Sequence, residues 1–182
     1  HVIETRAQNT VGNWEQPSIT YTVVVDQAPP IITLDDMPDY VNSLESVSGT
    51  VTDNGTGVDG VEVQIRDLTS ANVTLYWDGN SGWAEAESWV TATVDNTTWS
   101  CNVTATFSHG ESYEVKAKAT DLLGNPSGDQ SDNFTSDKEP PGTPSELEKT
   151  TSDNVDTPSF TWEAATDNTS DVVSYQVSWD SD

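Results

Sequence analysis

The acidic segment at residues 52–60 contains the side chains best suited to bind a metal ion. It reads Thr-Asp-Asn-Gly-Thr-Gly-Val-Asp-Gly and contributes Asp53, Asn54 and Asp59. Calcium binds about six to eight oxygen atoms from carboxylates, amides and carbonyls, which a loop of this composition can supply. The segment lacks the spacing and terminal Glu of an EF-hand, and Asp and Asn also form β-turns by bonding their own backbone. We interpret the segment as an ordinary turn, with a calcium site as the alternative.

A second group of acidic residues marks the places where one part of the chain passes into the next. Asp26 and Asp137 each begin an Asp-x-x-Pro-Pro motif, and Asn9 and Asp121 shortly precede Gly-Asn turns. A divalent cation between tandem domains would neutralise such carboxylates and stiffen the linker, as in cadherins, although the cadherin ligand motifs are absent. The alternative is that these charges are solvated. Solvated charges are the favoured interpretation and no cofactor is predicted, but the candidate ligands for calcium are Asp53, Asn54, Asp59, Asp121 and Asp137.

Three tryptophans in the segment around residues 76–89 are candidates for sugar binding. Trp77, Trp83 and Trp89 lie among Gly, Asp and Asn residues, and Asp78 or Asn80 could bond sugar hydroxyls. Exposed indole rings can stack on sugar rings, but in a β-sandwich tryptophans more often pack in the core or anchor a loop. A polysaccharide ligand is therefore kept as the alternative.

Groups that could carry out catalysis are scarce. The two histidines, His1 and His109, belong to no recognisable Ser-His-Asp set or metal-binding cluster, and the sequence has no phosphate-binding loop. The single cysteine, Cys101, lies on the same predicted strand face as the apolar residues Trp99 and Val103. We therefore predict a buried thiol that packs as a small apolar group. We predict that the protein is not an enzyme.

The charge balance limits the partners. The 182 residues carry 6 Lys+Arg against 31 Asp+Glu, a formal net charge of -25. Such a surface repels nucleic-acid phosphates and anionic lipid headgroups, so we predict no nucleic-acid partner. No apolar run approaches the roughly 20 residues of a membrane span, so we predict no membrane insertion of this segment. Seven Trp, five Tyr and three Phe favour a folded acidic protein over a disordered one.

Alternating apolar and polar residues predict strands throughout the chain. The clearest case is Val61, Val63 and Ile65, which alternate with polar residues at the two-residue period of a half-buried strand. Strands are predicted near residues 21–25, 31–34, 46–52, 60–66, 73–77, 88–94, 98–107, 112–120 and 130–135. Short strands separated by Gly, Asn and Asp turns are typical of antiparallel β-sandwiches, and no amphipathic helix is evident.

An internal repeat divides the chain into three units. Gly12-Asn13 and Gly124-Asn125 stand at equivalent places, each followed by a strand and then by Asp-x-x-Pro-Pro. Proline ends strand pairing and stiffens a linker. We predict the last strands of one module at residues 1–28, a complete module at 29–138, and the first half of another at 139–182.

Two family resemblances follow from these motifs. The central unit carries Ser-Gly-Thr-Val-Thr-Asp-Asn-Gly at 48–55 and Ala-Thr-Asp-Leu-Leu-Gly-Asn at 119–125, and it resembles the immunoglobulin-like repeats of bacterial and archaeal surface proteins. The third unit resembles a fibronectin type III domain through Pro144 and Leu147 in a first strand, Trp162 in a second, and Tyr175 and Val177 in a third. In that family the tryptophan packs in the core and the tyrosine covers it.

The resemblances imply an all-β chain of tandem immunoglobulin-like antiparallel β-sandwiches, one complete and two partial. The expected function is a non-catalytic spacer or adhesive segment of an extracellular or cell-surface protein, whose partners are neighbouring immunoglobulin-like modules and a protein ligand. The alternative is an accessory carbohydrate- or calcium-binding module of a secreted hydrolase. A fold of this kind serves many functions, so the sites must decide between them.

Overall fold

The computed structural model describes residues 1–16, 18–70, 72–152 and 157–178, and within them the chain is all-β with no helix. The part of the predicted third unit at 153–156 and 179–182 lies outside the described residues. The strands are β1 (Val2–Thr5), β2 (Ile19–Thr22), β3 (Ile31–Ile32), β4 (Tyr40–Val41), β5 (Ser46–Thr52), β6 (Val58–Asp67), β7 (Tyr76–Trp77), β8 (Trp83–Ala84), β9 (Val90–Thr91), β10 (Thr93–Asp95), β11 (Thr98–Asn102), β12 (Ser112–Asp121), β13 (Gln130–Ser136), β14 (Ser145–Lys149) and β15 (Phe160–Glu163).

Two sheets built from β3 to β13 enclose the hydrophobic core. The smaller has the order β10-β11-β5-β3, and the larger has the order β4-β13-β12-β6-β7-β8, with β9 paired to β6. The pairs are antiparallel apart from β4 with β13. Residues from both sheets form one buried cluster, which gives this region the character of a β-sandwich.

The longest strands show why this sequence forms sheets. β12 alternates partly and fully buried residues along its whole length, with Tyr113, Val115, Ala117, Ala119 and Asp121 on the buried face. Their partners on β6 are also apolar, because Ala117 faces Val63 and Ala119 faces Val61. A small residue opposite a β-branched one fills the space between the sheets without overlap, so the predicted two-residue period is observed here.

The predicted buried strand around Cys101 is shorter than expected. β11 ends at Asn102, but Val103 and Phe107 remain buried beyond it, and Cys101 is a buried free thiol. Burial raises the pKa of this thiol, so the neutral form is favoured. Cys101 therefore packs as an apolar side chain.

The residues before and after the sandwich form two separate hairpins. β1 pairs with β2, and β14 pairs with β15, and nearly all residues of these strands are exposed. The strand predicted at 21–25 was wrong in its bounds, because Thr22 pairs with Val2 and residues 23–25 lie outside the strand.

The third strand predicted around Tyr175 and Val177 is also not observed, because no described strand pairs with residues 171–178. Tyr175 instead places its ring 5.6 Å from that of Trp162, and its hydroxyl accepts a hydrogen bond from the Ala165 amide. Leu147 and Trp162 do lie in β14 and β15, whereas Pro144 immediately precedes β14.

The Gly-Asn turns of the repeat have the same geometry. Asn9 Oδ1 accepts hydrogen bonds from the amides of Val11 and Asn13 at 3.1 and 3.0 Å. Asp121 Oδ1 accepts the equivalent bonds from Leu123 and Asn125 at 2.9 and 2.8 Å. The glycine of each turn has positive φ, 91° at Gly12 and 86° at Gly124, where a side chain would be strained.

Candidate functional site

Three carboxylates from distant parts of the sequence meet at one end of the sandwich. Asp26 comes from the first Asp-x-x-Pro-Pro linker, Asp53 from the loop between β5 and β6, and Asp121 from the end of β12. One carboxylate oxygen of each lies within 4.8 Å of the others. We call this cluster, together with Thr56 and Asn125, the entry joint.

Asp53 organises the loop that carries it. Its Oδ2 accepts hydrogen bonds from the amides of Gly55 and Gly57 at 2.9 and 2.7 Å. Gly57 has a φ of 94°, which completes a tight turn around the carboxylate. The other oxygen, Oδ1, is buried and has no hydrogen-bond partner among the described residues. An unpartnered buried carboxylate oxygen is unfavourable and marks a place where a ligand atom or cation would be stabilised.

Asp121 is the most buried member of the cluster, with 1% of its surface exposed. Burial raises the pKa of Asp121, but hydrogen bonds from Asn125, Leu123 and Thr56 together lower it by more. The pKa therefore lies below its ordinary value. The shortest of these bonds runs from Asn125 Nδ2 to Asp121 Oδ2 at 2.7 Å. Asp121 therefore remains ionised at neutral pH despite its burial.

Asp26 attaches the linker to the sandwich. Its Oδ2 accepts hydrogen bonds from the Thr56 amide at 2.7 Å and the Thr56 hydroxyl at 3.2 Å, and its Oδ1 accepts one from Ala28. Hydrogen bonds from Ala28 and Thr56 hold its pKa below the ordinary value. Asn125 Nδ2 also donates to the Asp26 backbone carbonyl at 3.2 Å, so this amide bonds the linker as well as Asp121.

The charge of the entry joint is not balanced by a basic side chain. None of the ion pairs found among the described residues includes Asp26, Asp53 or Asp121. Negative charges on carboxylates so close together repel one another, and the repulsion is stronger where water is excluded. A divalent cation would reverse this repulsion.

The structure assembles part of the candidate calcium set and adds a residue to it. Asp53 and Asp121 come together, and Asp26 joins them. Asn54 and Asp59 are exposed, and Asp59 is not a member of the cluster. In the sequence, Asp26 was only a candidate junction residue, identified by its position at the start of Asp-x-x-Pro-Pro. Its proximity to the Asp53 loop arises from the fold and is not visible in the local sequence.

Asp137, the remaining candidate ligand, lies at the opposite end of the sandwich. Its Oδ1 is 3.4 Å from His109 Nδ1, and its Oδ2 accepts a hydrogen bond from Ser170 Oγ at 2.5 Å. We call Asp137, His109, Asp167 and Ser170 the exit joint. Hydrogen bonds from Ser170 and Thr169, and the nearby His109, hold the pKa of Asp167 below its ordinary value against the effect of burial.

His109 of the exit joint lies between the second linker and a threonine hydroxyl. His109 Nε2 is 3.5 Å from the Thr169 hydroxyl, which superficially resembles a nucleophile beside a histidine. The Lys138 amide also donates to His109 Nδ1 at 3.1 Å, and a Glu139 carboxylate oxygen lies 3.4 Å from Nε2. Both ring nitrogens therefore contact residues of the second linker, which fits a structural role for His109 at the joint.

The three candidate sugar-binding tryptophans do not form a common exposed surface. Trp77 is 1% exposed in the core, and Trp83 packs against Phe107 and Tyr113 with ring centroids 6.0 and 5.3 Å apart. Trp89 is covered by the Lys118 ammonium group, 3.9 Å from the ring centroid. These contacts match the packing alternative rather than sugar stacking.

Comparison with known proteins assigns no family to this chain. No protein-family model matches it, and no curated protein sequence matches it. Nor does any stretch within the described residues form a helix long and apolar enough to cross a lipid bilayer. Function must therefore be inferred from the geometry of the two joints and of the sandwich between them.

Proposed function

We propose that this chain is a non-catalytic spacer or adhesive segment of an extracellular or cell-surface protein, built from tandem immunoglobulin-like units and a fibronectin type III-like unit. The observation that supports it is the placement of the two linkers. The first linker contacts the Asp121 end of β12, and the second leaves from the Ser112 end, where the Gly110 amide bonds the Ser136 carbonyl. The chain thus enters and leaves at opposite ends of one strand.

The length of β12 gives the reach of one unit. A strand of 10 residues spans about 30 Å at a rise of roughly 3.4 Å per residue. A unit inserted in this way lengthens an array by about that amount instead of folding the chain back on itself. The acidic surface adds solubility and discourages neighbouring arrays from associating.

Small-angle X-ray scattering of the chain tests this function. A compact domain of this length would have a radius of gyration of about 16 Å, and an end-to-end arrangement should give a clearly larger value with an elongated distance distribution. The extension should persist in 1 M salt, where the Debye length is about 3 Å and charge repulsion is screened. A radius near that of a compact domain would contradict the spacer function.

We also propose that the entry joint binds calcium, which would make the stability of the sandwich calcium-dependent. Asp53 Oδ1 is the observation that supports this, because it is buried without a partner beside two further carboxylates. Calcium–oxygen distances are about 2.3–2.6 Å, so two ligands of one ion lie no more than about 5 Å apart. The separation of at most 4.8 Å between the three carboxylates satisfies this limit.

Calorimetric titration with calcium, paired with thermal unfolding, tests the site. Asp53→Asn keeps an oxygen to accept the loop amides but removes a charge, so the affinity should fall at least tenfold. Asp59→Asn is the matched control, because it removes the same charge from the same loop outside the cluster, and it should bind like the wild type. An absence of heat and of any calcium-dependent rise in Tm in the wild type would end this proposal and leave the spacer function standing.

A further inference from the structure

The entry and exit joints are built from the same parts. The loop of the entry joint begins Thr52-Asp53-Asn54, and the loop of the exit joint begins Thr166-Asp167-Asn168. Each loop carries a hydroxyl residue three positions after its aspartate, Thr56 in the first case and Ser170 in the second. Each also faces the aspartate of an Asp-x-x-Pro-Pro motif.

The aspartate of the motif uses its two oxygens in the same way at both joints. At the entry joint, Asp26 Oδ1 accepts the amide two residues later, Ala28, while Oδ2 accepts the Thr56 hydroxyl. At the exit joint, Asp137 Oδ1 accepts the amide two residues later, and Oδ2 accepts the Ser170 hydroxyl. One oxygen therefore shapes the linker, and the other binds the following unit.

The backbone after each Pro-Pro pair also makes an equivalent contact. Ile31 pairs with Thr52, the residue before Asp53. The Gly142 amide donates to the carbonyl of Thr166, the residue before Asp167, at 2.9 Å. Each linker is thus held to the next loop by a side-chain bond and by a backbone bond a few residues later.

The loops themselves have related geometry. Asp53 Oδ2 accepts two amides of its loop, and Asp167 Oδ1 accepts those of Thr169 and Ser170 at 2.9 and 2.8 Å. One difference has a steric cause. A side chain at Gly55 would overlap the Asp26 carboxylate, and the corresponding residue of the exit joint is Thr169, which has a side chain. Asp26 can therefore lie over its loop and accept the Thr56 amide in addition to the Thr56 hydroxyl. At the exit joint, Asp137 Oδ2 accepts the Ser170 hydroxyl.

We infer that the aspartate of Asp-x-x-Pro-Pro is a docking residue that recognises a Thr-Asp-Asn loop with a following Thr or Ser, and so fixes the orientation of the next unit in the array. The partner surface is a loop whose hydroxyl donates to an ionised carboxylate, a directional and charge-assisted bond. Asp137 is well placed for this, because its side chain is only 9% exposed. The inference deepens the proposed spacer function and rests on it.

Residual dipolar couplings of the full chain, measured on backbone amides, test the inference at the exit joint. In the wild type, one alignment tensor should fit both residues 40–136 and residues 142–178. Asp137→Ala and Ser170→Ala should each require two tensors, with the alignment of residues 142–178 at least halved. Ser170→Thr places the hydroxyl of the entry joint at the exit joint, so it should retain the single tensor.

Asp36→Ala is the charge-matched control, because Asp36 is exposed and lies outside both joints, and it should also retain the single tensor. A single tensor in Ser170→Ala, or two tensors in the wild type, would overturn the docking role. Either result leaves the spacer function intact, since that function fails only if scattering shows a compact particle. The two failures are therefore distinguishable.

Discussion

At the scale of single residues, the entry joint depends on the absence of one side chain. Gly55 has an ordinary backbone conformation, so alanine is tolerated locally, but its Cβ would overlap the carboxylate of Asp26. An Asp side chain is flexible enough to move away. The loop and the core would then survive the substitution, but the hydrogen bonds that Thr56 donates to Asp26 would not.

Gly55→Ala should therefore release the linker without unfolding the sandwich. Exchange protection of the Thr56 amide should fall by about tenfold or more, as expected when a hydrogen bond to a charged group is lost. Hydrogen exchange with residue resolution measures this. In an Asp26→Ala background the same substitution should have no further effect, and an additive loss in the double variant would show that Gly55 acts through something other than Asp26.

The lowered pKa values of Asp26 and Asp121 give a second prediction at this scale. Both lie below the ordinary 3.8 in the folded protein, so their ionised forms stabilise the fold fully above that pH. The stabilisation should be lost as the pH falls below 3.8 and through the lower folded values. Thermal unfolding from pH 5 downwards should show a steeper fall in Tm for the wild type than for Asp26→Ala, and equal slopes would contradict these shifts.

The sequence identified acidic residues of the entry joint but not the full membership of the cluster. The acidic loop drew attention to Asp53, which the structure places in a turn bonded to its own backbone, and the repeat identified Asp121 and Asp26 as equivalent to other junction residues. Asn54 and Asp59 were included because they are close in sequence, yet both are exposed. The cluster forms because the ends of β5 and β12 lie together beside the linker, and local spacing does not contain that information.

At the scale of elements, the smaller sheet depends on a pairing between the smallest residue and the largest. Gly49 of β5 lies opposite Trp99 of β11. The indole uses this space to donate a hydrogen bond to the Thr33 carbonyl at 3.0 Å. A Cβ at Gly49 would overlap that carbonyl and press against the indole nitrogen. The carbonyl belongs to the backbone of Thr33, whose amide bonds the Thr50 carbonyl of β5, so moving it would disturb that pairing.

Gly49→Ala should destabilise the sandwich by about 1–3 kcal/mol, the usual cost of overpacking a core. Gly60→Ala is the matched control, since Gly60 lies in β6 with no atom near its would-be Cβ, and it should be neutral or slightly stabilising. Urea unfolding followed by tryptophan fluorescence compares the two. Equal stabilities for the two variants would refute the role given to Gly49.

The strands could be predicted where alternation is strong and were misplaced where pairing partners decide. Four strands match the predicted bounds to within a few residues, namely β5, β6, β12 and β13. Each is long enough for the two-residue period to be recognised in the sequence. The strand expected at 73–77 shrinks to Tyr76–Trp77, since its pairing with β6 involves Arg66 and Tyr76 alone. The expected strand around Tyr175 does not form, because side-chain pattern alone does not supply a hydrogen-bonded neighbour.

At the scale of the whole molecule, apolar burial is concentrated in one region. The buried hydrophobic residues of the described chain all lie between Ile32 and Phe134. The hairpins on either side expose large apolar side chains, including Ile3 and Tyr21 before the sandwich and Leu147 and Phe160 after it. A two-stranded hairpin with an uncovered face is only marginally stable in water. Stability should therefore differ strongly along the chain.

Native-state hydrogen exchange should resolve this difference. Opening of the central strands requires global unfolding, which costs a domain about 5–15 kcal/mol, whereas a two-stranded hairpin with an uncovered face opens by local unfolding at a much smaller cost. Because each 1.4 kcal/mol or so is a tenfold change, amides of β6 and β12 should be at least about a thousandfold more protected than those of β1–β2 and β14–β15. The Thr56 amide, bonded to Asp26 across the entry joint, should be more protected than the hairpins although it lies in a loop. Similar protection in all three regions would mean that the chain unfolds as a single cooperative body, in which case the hairpins are held by the sandwich and the units are not separable.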